Sequence, residues 1–152
     1  MKWLLIAVGG VLALGLAAYI AMAIQSHKRP ATLGLHHGQL RPCPASPNCV
    51  CSEAADRTDP EHGVAPIPLH AGAWARLKQN ITAQGGVIDQ DDDHYLHATF
   101  TSSLFRFVDD LELRLDRDAG VIHIRSASRV GRSDFGVNRQ RVNHITATLD
   151  RM

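Results

Sequence analysis

The chain opens on an unbroken apolar run: residues 3–24 contain no charged side chain, 22 positions rich in Leu, Ile, Val, Ala and Gly. At 1.5 Å per residue a helix of that length crosses a hydrocarbon core of about 30 Å. Beyond it the pattern loses its period. Residues 25–68 hold all seven prolines and read as a linker and irregular lead-in. Helical spacing returns over residues 71–84, where Trp74, Leu77 and Ile81 share one face and Gly85 and Gly86 offer a left-handed stop.

The period then becomes two. A short strand at 87–88 and a polar turn at Asp91, Asp92 and Asp93 lead into Leu96, Ala98 and Phe100, which alternate with His97, Thr99 and Thr101. Leu111, Leu113 and Leu115 alternate with Asp110, Glu112, Arg114 and Asp116, and a turn at 117–120 leads to a return strand at 121–128. One face of this sheet reads as core and the other as solvated. A last helix begins at Ser133 or Asp134, either of which can cap it, with Phe135, Val142, Ile145 and Leu149 as its apolar stripe. The pattern predicts an α+β fold: a small antiparallel sheet of about four strands packed with two helices on one face, preceded by an N-terminal transmembrane helix. Three segments follow, an anchor or signal segment at 1–26, a Pro-rich, Cys-containing lead-in at 27–68 and a compact domain at 69–152.

Charge adds an asymmetry that the formal net of +1 conceals. Residues 89–118 carry nine acids against three arginines, a net of −6, whereas residues 119–152 carry six arginines against two aspartates, a net of +4. The near-neutral total gives no electrostatic case for a nucleic-acid partner. Membrane orientation stays open, because Lys2 precedes the apolar run and His27, Lys28 and Arg29 follow it. The run exceeds the usual length of a signal-peptide core, which favours an uncleaved anchor, although Ala21-Met-Ala23 resembles a cleavage site.

The densest chemistry lies where strand gives way to helix. Residues 125–141 hold Arg125, Arg129, Arg132, Arg139 and Arg141 against one acid, Asp134, with Ser126, Ser128 and Asn138 interspersed. Planar guanidinium forks beside the free N–H groups of a helix start suit a carboxylate, phosphate or sulfate ligand. The same arginines can instead pair with the acidic strands, at Asp109, Asp110, Glu112 and Asp116. Ser133 lies in a Gly-rich turn with one residue too many for a nucleophile elbow, and its candidate bases are His123 and His144. Cys43 and Cys49 bracket a short loop that can close as a disulfide in an oxidising compartment, with Cys51 left over. The nine histidines are mostly dispersed, and no C-x-x-C pair or spaced acidic loop supports a metal or other cofactor.

Two segments carry a resemblance: Cys43-Pro-Ala-Ser-Pro-Asn-Cys49-Val-Cys-Ser52 and Arg125-Ser-Ala-Ser-Arg-Val-Gly-Arg-Ser-Asp-Phe-Gly-Val-Asn-Arg139. With residues 100–110 they resemble the domain-of-unknown-function family 1499 over about residues 40–150. Asn48, Cys49, Ser52, Arg125, Ser126, Ser128, Arg129, Asp134, Asn138 and Arg139 are the matching positions, and Cys51 departs from the family's usual serine. The resemblance implies an exported or membrane-anchored protein and assigns no activity. The resulting expectation is a membrane-tethered domain, on the periplasmic or otherwise exported side, with no enzymatic role. Its site would comprise Arg125, Ser126, Ser128, Arg129, Arg132, Asp134, Asn138, Arg139 and Asn48, holding an anionic small molecule, a lipid headgroup or an envelope protein. The alternatives are an assembly protein whose arginines form internal ion pairs, and a hydrolase using Ser133.

Overall fold

The computed structural model describes residues 1–147 and Leu149. Helix α1 spans Lys2–Ser26. After it come strands β1 (Cys49–Cys51) and β2 (Ile67–Pro68), helix α2 (Ala73–Ala83), strands β3 (Val87–Asp91), β4 (Tyr95–Thr101), β5 (Val108–Asp116) and β6 (Val121–Ser128), and helix α3 (Val137–Ala147). The mixed α+β class is as expected, with six strands rather than four. The sheet is antiparallel in the order β1-β6-β5-β4-β3, and β2 shares the outer edge of β6 with β1.

Alternation places Leu96, Ala98, Leu111, Leu113, Leu115, Ile122 and Ile124 on one face of the sheet. There they pack with Leu77 and Ile81 of α2 and Val142 and Ile145 of α3. Gly86 is the tight point of this layer: a Cβ there would lie 2.7 Å from both Ile81 Cγ2 and Phe100 Cζ, so no larger residue fits between the end of α2 and the sheet.

The opposite face departs from expectation. Read as solvated, it is buried: His97 is 1 % exposed and Glu112 is fully buried. The cover comes from the lead-in. Gly34 N donates to Glu112 Oε1 and Leu40 N donates to Glu53 Oε1, while Leu35, Leu40, Cys43, Cys51 and Tyr95 form a second small apolar cluster. Residues 27–68 therefore belong to the folded body, supplying two strands and a third layer. Their irregular backbone has no period to read, and the polar face becomes dry because its charges find partners rather than because it is apolar.

The start of the last helix also differs. Phe135 (φ 56°) and Gly136 (φ 81°) are both left-handed, so the helix starts at Val137 and Phe135 points outward, 91 % exposed, rather than joining the apolar stripe. Leu149 does pack against the core; residues 148 and 150–152, which the expected helix included, lie outside the described residues.

Cys43 and Cys49 are joined as a disulfide. It closes a loop of six residues' separation, for which chain entropy gives a stabilisation of about 2 kcal/mol. A Cys43→Ser/Cys49→Ser variant is expected to be less stable by that amount in urea unfolding. Its midpoint should be insensitive to dithiothreitol, which lowers that of the parent protein.

Candidate functional site

The arginine segment becomes a set of ion pairs through strand register. Arg125 on β6 lies directly opposite Glu112 on β5, and its Nη1 donates to Glu112 Oε2 at 3.0 Å. Glu112 also accepts from Tyr95 Oη at 2.7 Å and from Gly34 N at 2.9 Å, so its carboxylate is dry yet fully engaged. Arg129 grips Asp110 with two parallel bonds, Nε at 2.9 Å and Nη2 at 2.7 Å, and its Nη1 donates to the carbonyl of Ser26 at the end of α1. Arg141 pairs with Asp109 at 2.7 Å and lies over the Phe100 ring, 4.5 Å from its centroid. Arg139 donates to the carbonyls of Gly63 and Glu61. Arg132 is exposed. Asp116, considered as a partner for these arginines, pairs with Arg114 instead.

The neutral residues of the segment meet in a second, buried junction. Asn138, 1 % exposed, donates through Nδ2 to Asn48 O, Ser128 Oγ and Asp134 Oδ2, and accepts through Oδ1 from Ser126 Oγ and Arg141 Nη1. Asn48 Nδ2 donates to Gly131 O, and Ser128 N donates to Asn48 O. Asp134 caps α3 by accepting from the amides of Gly136 and Asn138. One asparagine thus ties β1, β6, the connecting loop and α3 together. Of the expected site residues, Asn48, Ser126, Ser128, Asp134 and Asn138 converge here, while Arg125, Arg129 and Arg139 each leave for separate partners.

A further polar set was not anticipated. Arg114 binds Glu53 through Nε and Nη2 at 2.7 and 3.1 Å, and His123 Nδ1 lies 3.5 Å from Glu53 Oε2 and 3.3 Å from Ser52 Oγ. Serine, histidine and glutamate are together, but both neighbours address the same ring nitrogen. A relay needs the acid on one nitrogen and the hydroxyl on the other. Ser52 is fully buried and accepts from Ile124 N, so this set braces the lead-in against the sheet. Ser133 accepts from the amide of Phe135 in its turn. Burial pushes the Cys51 thiol up to about 12, which makes it unreactive.

Where the lead-in leaves the β3–β4 side uncovered, a recess of about 250 Å³ opens beside the end of α1, lined by His27, Arg29, Asp89, His97, Thr99, Thr101, Val108 and Arg129. His97 is its most unusual member. Nε2–H donates to Asp110 Oδ1 at 2.8 Å, which leaves Nδ1 buried with no hydrogen-bond partner; the Asp89 carboxylate is 3.8 Å away, beyond bonding reach. Burial works against ionisation of Asp110, but the bonds from His97 and Arg129 outweigh it and hold the carboxyl below its ordinary range. A bulge between Ile88 and Gln90 brings two consecutive β3 side chains to this side. Asp89 approaches His97, and Gln90 accepts from Arg29 at 3.2 Å. Neither the bulge nor the closeness of residues 27–29 to β3 leaves a mark in the sequence pattern.

Residues 39–149 match the model of a family described as "Protein of unknown function (DUF1499)". No curated protein matches the chain.

Proposed function

The chain belongs to the DUF1499 family, and from that premise we propose that it is a membrane-tethered domain of the cell envelope, without enzymatic activity, that holds the polar head of an anionic amphiphile where tether and sheet meet. The observation that carries this reading is the recess at the end of α1, with Arg29 as a charged donor and, in its wall, the unpartnered Nδ1 of His97 as an acceptor for a headgroup hydroxyl. His27 and Arg29 line the recess as donors, Arg29 with a fixed charge, next to the point where an apolar helix of membrane-spanning length ends. A tether of this kind delivers amphiphile heads to that mouth. The Cys43–Cys49 disulfide supports placement of the domain on the exported side. α1 is read as retained rather than cleaved, because its uncharged run exceeds a signal-peptide core and Tyr19, which cleavage after Ala23 would remove, packs against Phe105 and Phe107 of the domain.

Within this reading the arginine segment changes role. Arg125, Arg139 and Arg141 hold the fold, and Arg129, already bound to Asp110, shapes the recess wall rather than gripping ligand. A second reading, an assembly protein with no small ligand, is favoured by the same filled arginines.

Titration of dihexanoyl phosphatidylglycerol into the full chain in non-ionic detergent separates the two. Ligand binding in the recess implies saturable heat that Arg29→Gln weakens about tenfold, the loss of one charge-assisted hydrogen bond. Absence of binding, or binding indifferent to both Arg29→Gln and His97→Leu, favours the assembly reading.

A further inference from the structure

The loop between β4 and β5 exposes the wrong residues for a hairpin tip in water. Residues 102–107 read Ser-Ser-Leu-Phe-Arg-Phe, with Leu104 75 % and Phe105 51 % exposed. The loop is closed on itself: Ser102 N donates to Phe107 O, Arg106 N to Ser102 O and Phe107 N to Ser102 Oγ. Arg106 adopts φ 58° at the bend. Two large apolar side chains are therefore held outward by a braced turn.

The position of that turn says what meets them. Tyr19, inside the uncharged run of α1, packs its ring against Phe105 and Phe107, with centroids 6.5 and 5.9 Å apart, and donates its hydroxyl to the carbonyl of Phe105 at 3.3 Å. Seven residues separate Tyr19 from Ser26, where the helix joins the domain. At 1.5 Å per residue the loop reaches about 10 Å back along the helix, the depth at which interfacial segments bury apolar side chains. Tyr19 clustered with Phe105 and Phe107, with exposed Arg106 in the loop and exposed Lys28 just past the helix, matches the composition of a membrane–water interface.

We infer that the β4–β5 tip is a second membrane contact, with Leu104 and Phe105 seated in the lipid leaflet alongside α1. The inference rests on the tether proposed above but not on the recess. It gives the domain a fixed attitude. A single helix leaves a soluble domain free to swing, whereas a helix hydrogen-bonded to the domain at Ser26 and flanked by an inserted loop holds the recess mouth against the headgroups. The partner is the bilayer itself.

Nitroxide labels on the full chain in vesicles of phosphatidylcholine and phosphatidylglycerol test this. Single sites are made as Leu104→Cys, Phe105→Cys, Leu12→Cys and Asp118→Cys; native Cys51 is buried and the other two cysteines are joined. Accessibility to oxygen, which partitions into lipid, is compared with accessibility to a water-soluble nickel chelate. The expected result is oxygen-dominated collisions at Leu12, Leu104 and Phe105 and nickel-dominated collisions at Asp118. Leu104 and Phe105 reading like Asp118 while Leu12 reads as lipid overturns the inference and leaves the tether standing. Leu12 reading as water overturns both. Spin–spin broadening at Leu104 that disappears on dilution with unlabelled protein would assign the tip to a second copy of the chain, and equally overturns the lipid assignment.

Discussion

Arg125→Ala is expected to cost the domain about 3–5 kcal/mol, the penalty for leaving a buried charge without its partner. Glu112 is the charge in question. It is fully buried, with Arg125 as its guanidinium contact among the described residues and Tyr95 and Gly34 as neutral donors. Removing Arg125 leaves an anion in a dry layer between the sheet and residues 33–43, and the chain can relieve it only by admitting water. The loss should appear as a lower urea midpoint of the full chain in detergent. Arg132→Ala, at an exposed position of the same segment, should change stability by no more than about 0.5 kcal/mol.

Asn138→Ala is the second large effect, at about 2–6 kcal/mol. The estimate takes two buried groups losing their partner at about 1–3 kcal/mol each, with the remainder satisfied by water. Asn138 joins Asn48, Ser126, Ser128 and Asp134, so its loss loosens the attachment of α3 to the sheet rather than one bond. Asn138→Asp should be worse than alanine: it converts the two donors into an anion facing Asp134 Oδ2, now 2.8 Å from Nδ2. Hydrogen exchange of the α3 amides reports the detachment directly. Protection falling in α3 while β4 and β5 stay protected is the expected pattern.

The sequence made much of this frame legible. Uncharged length marked α1, 3.6-residue spacing marked α2, strict alternation marked β4 and β5, and the turn at 117–120 marked β6 as the return strand. β1 and β2 escaped because strands of three and two residues have no period to recognise. Burial of the polar face escaped for a different reason. Alternation reports which residues share a face, not whether charges on the supposedly wet side will find partners, and here Glu112 finds Gly34 and Arg114 finds Glu53, both far away in the chain. Phe135 misled because an aromatic beside a helix cap reads as stripe, whereas two successive left-handed residues turn it out.

For the site, the opposed charges of residues 89–118 and 119–152 did foretell ion pairing, and Arg125, Arg129 and Arg141 each found an acid on β5. Anion binding and internal pairing draw on the same residue types, so composition alone could not choose between them. The recess was not legible. It depends on a bulge at β3, on His97 turning inward, and on the end of α1 folding against β5, all of them products of tertiary packing.

By pairing with β5, the arginine segment holds the domain together. A double-mutant cycle on Arg125 and Glu112 tests it most directly, with Arg125→Met, Glu112→Gln and the pair combined, read by urea unfolding of the full chain in detergent. The expected result is that each single change destabilises and the double change recovers part of the loss, a coupling of more than about 1 kcal/mol. Strictly additive effects, or an Arg125→Met protein as stable as its parent, would contradict it and return Arg125 to the pool of residues free to hold a ligand.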